Sequence, residues 1–75
     1  MEVRIGIQSV PRELICETDT AADQIERDLR AALEAGSVFA LSVQKGGKVL
    51  VPSDKIAYLE FIGAEARRVG FGNIT

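Results

Sequence analysis

The sequence has no histidine, no tryptophan, a single cysteine and a single tyrosine. Each shortage removes a class of chemistry. Without histidine, the commonest general acid–base group and the commonest metal ligand are both missing. Cys16 alone can form neither an internal disulfide nor a multi-thiolate zinc site, so no metal or cofactor is expected. A 75-residue chain without such staples depends on packing or on a partner subunit. Long apolar runs are absent too. No stretch approaches the ~18 residues that span a bilayer. Met1-Glu2-Val3-Arg4 alternates polar with apolar where a signal peptide would place a hydrophobic block. These absences lead us to expect a cytoplasmic chain with no membrane partner.

What is present is globular. Hydrophobic residues make up 47% and charged residues 27%, unlike the weakly apolar, highly charged composition of disordered chains. The length allows one core, so residues 1–75 are read as a single domain, with 64–75 as a tail or short extra element. A formal net charge of −2 offers phosphate backbones no general attraction, so nucleotide and nucleic acid are not expected partners. The charge is uneven. Residues 12–36 hold three basic and seven acidic side chains, whereas residues 44–75 hold five basic and three acidic.

Val3, Ile5 and Ile7 alternate with Arg4, Gly6 and Gln8, the period of a strand with one buried face. Pro11 interrupts the pattern, and Arg12 to Glu17 resume it with Leu14 and Cys16 on one side, which predicts a hairpin. Thr20 followed by Asp23 resembles a capping box. Ala22, Ile25, Leu29, Ala32 and Leu33 then recur at helical spacing, and Gly36 stands where a left-handed cap is needed. A helix is therefore expected over about 20–35. The runs 37–44 and 48–51 flank Gly46-Gly47, a pair suited to a tight hairpin turn, and Ile56 to Ile62 read as a fifth strand. With those two glycines as the turn, Val43 lies opposite Leu50. Phe39, Leu41, Val43 and Leu50 then share one face, and Val38, Ala40, Val49 and Val51 the other. The expected fold class is α+β in the order ββαβββ, one helix covering one face of a mainly antiparallel five-stranded sheet.

On that reading both faces of the sheet are apolar and one helix covers only one of them. The other face needs the tail, a second subunit or a ligand. Candidate interface residues are Val49, Val51, Tyr58, Glu60, Ile62 and Phe71. Glu60 reads either as a solvated group or as a carboxylate awaiting Arg67 or Arg68. Candidate anion- or partner-binding residues are Arg67 and Arg68, which suit bidentate contacts and aromatic stacking, with Lys45 and Lys48 across the turn and Lys55 beyond. Gly46-Gly47-Lys48 lacks the spacing of a phosphate loop. Cys16, on the core face beside Glu17, reads as an inert packing thiol.

Four segments carry a family resemblance: Met-Glu-Val-Arg-Ile-Gly-Ile at 1–7, Pro-Arg-Glu-Leu at 11–14, Ile-Ala-Tyr-Leu-Glu at 56–60 and Ala-Arg-Arg-Val-Gly-Phe-Gly at 66–72. Together they resemble an uncharacterised family of short actinobacterial proteins, a domain of unknown function. The resemblance draws attention to Arg67, Arg68, Gly70 and Gly72. Some members are described as ATP-binding, and this sequence holds no nucleotide motif on which to place that property. The strand, turn, strand and capped helix of the opening are also similar to ubiquitin-like β-grasp domains. The expected function is a non-enzymatic interaction or regulatory module, a homodimer whose tail and second sheet face contact a second copy or a protein partner. The alternative is a small anion- or nucleotide-binding domain built on the Arg-Arg segment.

Overall fold

The computed structural model describes residues 1–63 and 67–70. Strands β1 (Glu2–Ile7) and β2 (Leu14–Glu17) form the opening hairpin, and helix α1 (Ala22–Ala35) follows. Then come β3 (Val38–Ser42), β4 (Lys48–Pro52), β5 (Ile56–Ile62) and β6 (Arg67–Gly70). The class is α+β as expected, but the single five-stranded sheet is not what forms. There are six described strands in two sheets: an antiparallel set in the order β2-β1-β5-β6, and β3 with β4 as a separate ribbon. A 3₁₀ turn at Ser53–Lys55 causes the division. It redirects the chain after β4, so that β5 pairs with β1 and not with its predecessor.

The core lies where three apolar surfaces meet. Val3 and Ile5 of β1, Cys16 of β2, and Leu59 and Phe61 of β5 face inward from the larger sheet. Ile25, Leu29 and Ala32 of α1 face them, and Phe39, Leu41 and Val51 close the space from the ribbon. Each large side chain removed from water in this way contributes on the order of 1.5–3 kcal/mol before ordering entropy is counted.

The helix stripe read from the sequence is the one buried, and its C-terminus ends as expected. Gly36 is left-handed (φ 64°), with Ser37 N–H donating to Ala32 O at 2.9 Å and Gly36 N–H to Leu33 O at 3.3 Å. That pattern is a Schellman cap. The N-terminus differs. The helix starts at Ala22 with Ala21, not Thr20, at the cap, and no side-chain capping bond is made there. Thr18 acts instead. Fully buried, its Oγ1 donates to Ser42 O at 2.6 Å and accepts from Thr20 N–H at 3.1 Å, tying the approach to the helix onto the end of β3.

The ribbon corrects the expected register. Phe39 lies opposite Val51, Leu41 opposite Val49, Ala40 opposite Leu50 and Ser42 opposite Lys48. The turn is a five-residue loop, closed by Val43 N–H to Gly47 O at 3.0 Å. Lys45 (φ 65°) and Gly46 (φ 75°) take the left-handed positions, while Gly47 is extended. The register change relative to a two-residue turn is an odd number of places, which exchanges the faces of one strand against the other. Val51 is therefore buried and Val49 half-buried against the core, and Leu50 points outward.

Candidate functional site

The outer face of the larger sheet was expected to be apolar, and it is not. Register sets its rows. Arg4 lies opposite Glu60, which lies opposite Arg68, and Gly6 lies opposite Tyr58, which lies opposite Gly70. The tyrosine thus stands between two glycines. A Cβ built on Gly6 would sit 2.1 Å from Tyr58 Cε2, so the ring occupies the space a side chain would need. The Arg68 guanidinium covers the ring, its central carbon 3.9 Å from the centroid. From the loop before β2, the Glu13 carboxylate accepts a hydrogen bond from the Tyr58 hydroxyl. That bond, then partial burial, raises the Tyr58 pKa above the ordinary phenolic value. Arg4 Nε donates to Glu2 Oε2 at 2.7 Å, a contact that raises the pKa of the guanidinium.

Four carboxylates (Glu2, Glu13, Glu17, Glu60) and two guanidinium groups (Arg4, Arg68) therefore share this face or its rim. Such a balance repels a free anion more than it attracts one. Nor do the candidate cations converge. Arg68 is on β6 and Lys45 lies beside β2, at opposite edges of the sheet, about three strand spacings or 14 Å apart. Lys48 lies opposite Ser42 on the ribbon, and Lys55 lies in the 3₁₀ turn, its carbonyl accepting from Gln8 N–H at 2.8 Å. Of Arg67 the structure describes the backbone, opposite Phe61, and Phe71 lies outside the described residues. Among the interface candidates, Tyr58, Glu60 and Ile62 share the outer face and are half-buried. Glu60 stands between Arg4 and Arg68 in register.

The strands that build this face come from both ends of the chain, and the family model for "Protein of unknown function (DUF3107)" matches residues 1–72. The chain belongs to this family. No curated protein matches it. The match takes in all the described elements that pair around Tyr58, so the Gly6–Tyr58–Gly70 row of this DUF3107 chain lies within the matched span.

The open apolar surface lies elsewhere, on the outer side of the β3–β4 ribbon. Val38 is 53% exposed and Leu50 is 62% exposed, with Ala40 and Pro52 beside them on the same face. Among the described residues of this DUF3107 chain, α1 and the larger sheet cover only the ribbon's inner side. Sequence reasoning missed this patch because it misplaced Leu50. It also missed Glu13 and Thr18, whose partners lie 45 and 24 residues away. Cys16 is buried as expected, and burial raises its thiol pKa. Among the described residues no cluster of three or more potential ligands is placed to hold a metal ion, and no helix is long and apolar enough to cross a membrane.

Proposed function

We propose that this chain is a non-enzymatic protein-interaction module of the cytoplasm that self-associates through the outer face of its β3–β4 ribbon. The observation that carries the reading is the placement of Val38 and Leu50, both more than half exposed, on one face that no part of the described chain covers. The face is self-complementary in kind: small and branched apolar groups at Val38, Ala40, Leu50 and Pro52, with its one charge, Lys48, at the far end. A two-fold pairing would hide both copies of this face at once. Catalysis is disfavoured on the same physical grounds. The single thiol, Cys16, and the single phenol, Tyr58, have pKa values shifted away from ionisation, whereas use of either as a nucleophile needs the opposite.

The test is the mass of the full chain by light scattering across micromolar concentrations. A dimer is expected, with Leu50→Glu returning it to one chain while the circular dichroism of the fold is kept. Ile62→Glu, on the other sheet, should leave the dimer intact. A mass of one chain for the unaltered protein throughout that range refutes the proposal.

A further inference from the structure

The larger sheet ends on β2, and a cleft of about 400 Å³ runs along that edge. One wall is Ile15, Cys16 and Glu17; the other is Val43, Lys45 and Val49 from the ribbon and its turn. We infer that this cleft receives an extended peptide carrying alternate apolar residues and an acidic one, which adds to β2 as a further strand. The inference is independent of the self-association proposed above, which uses a different face.

Main-chain chemistry is the first argument. Among the described strands β2 pairs only with β1, so alternate N–H and C=O groups of Leu14–Glu17 point away from the sheet with no described strand to meet them. Natural edges are commonly guarded by charged side chains, lysine above all, and by proline. β4 carries Lys48 and Pro52, and β6 carries Arg67 and Arg68, whereas Leu14–Glu17 has one charge, Glu17 at its end, and leaves Leu14 42% and Ile15 64% exposed. An edge of this kind is what strand addition uses: main-chain bonds supply affinity, and pockets for alternate side chains supply selection.

The cleft supplies such a pocket. Cys16, Val43 and Val49 make its floor apolar, and its volume lies in the range of small-ligand sites. Its two walls are tied to each other at one end. Thr18 Oγ1 is bonded to Ser42 O at 2.6 Å, and Gln44 Nε2 donates to Asp19 Oδ1 at 3.3 Å, so the turn is pinned where the chain leaves β2. Lys45 is held left-handed at the lip, a conformation that costs a side-chain-bearing residue about 1–2 kcal/mol. Backbone strain of this sort gathers at ligand clamps.

Charge then selects the peptide. Glu17 lies 3.5 Å from the Met1 ammonium group, which offsets it. Among the described residues Lys45 makes no salt bridge, so of the two charged residues that line the cleft it is the one left to meet a carboxylate; Asp19, held by Gln44, stands outside the lining.

The probe is a blocked synthetic hexapeptide alternating valine with threonine and carrying one aspartate, titrated into the ¹⁵N-labelled full chain. Amide shifts are expected at residues 14–17 and 43–45, with slower hydrogen exchange along β2. Cys16, the only thiol, should react more slowly with a thiol reagent when peptide is present. Lys45→Glu should weaken binding about tenfold, as expected for reversing a charge that meets a carboxylate. The same peptide N-methylated at alternate residues, which cannot complete the ladder, should produce no shifts. Three results overturn the inference: no shifts at millimolar peptide, shifts confined to the Val38–Leu50 face, or equal binding of the N-methylated peptide.

Discussion

Gly6 and Tyr58 should be energetically inseparable. Gly6 is extended, so alanine is conformationally acceptable there, and by itself the change should stabilise the chain by about 0.4–1 kcal/mol through the unfolded state. The ring prevents this. A methyl group 2.1 Å from Cε2 and 2.4 Å from Cζ is far inside contact distance, and something must move. If the ring stays, the crowding costs about 1–3 kcal/mol. If it swings out, the hydrogen bond to Glu13 and the stacking of Arg68 are lost with it. In a Tyr58→Ala background the obstruction is gone, and Gly6→Ala should become neutral or stabilising. The unfolded-state gain is common to both backgrounds and cancels, so the coupling equals the crowding term, about 1–3 kcal/mol. Urea unfolding of the four chains, followed by circular dichroism, measures it directly. Effects that add to within ~0.5 kcal/mol would show that the ring does not rest on Gly6 and would refute the argument.

Two further predictions concern groups whose partners are distant in sequence. Thr18→Val keeps the shape of a fully buried side chain but deprives Ser42 O and Thr20 N–H of their partner. It should cost about 1–3 kcal/mol, read as a lower urea midpoint at unchanged slope, and a loss below ~0.5 kcal/mol would refute the role given to Thr18. Tyr58 is the only tyrosine, so phenolate absorbance reports it alone. Its raised pKa means that the folded state favours the neutral phenol. That contribution is complete below the unfolded value of about 10 and is lost as pH rises through the folded one. The titration midpoint should lie above that of the urea-unfolded chain and should fall toward it in Glu13→Gln, and a folded midpoint at or below the unfolded one would contradict the assignment.

The sequence by itself determined the features that depend on neighbours along the chain. The buried stripe Ala22, Ile25, Leu29, Ala32 follows from helical periodicity, and the left-handed cap at Gly36 from the one residue type that adopts it without cost. The inward set Val3, Ile5, Leu59, Phe61 follows from alternation, and the class α+β from the two periods together. Alternation separates a strand's two faces, but it identifies neither the strand's partner nor the face that meets the core. Only the tertiary structure decided that β5 joins β1, that the ribbon stands apart, and that Lys45 and Gly46, not Gly46 and Gly47, make the turn. That last difference moved Leu50 from the core to the surface and Val51 the other way. The outer face shows the same limit. Arg4, Glu13, Tyr58, Glu60 and Arg68 are unremarkable as single letters, and they become a site only when pairing over long stretches of chain sets them in adjacent rows. Such pairings are chosen by the total burial of the folded core, a quantity that no local segment of sequence contains.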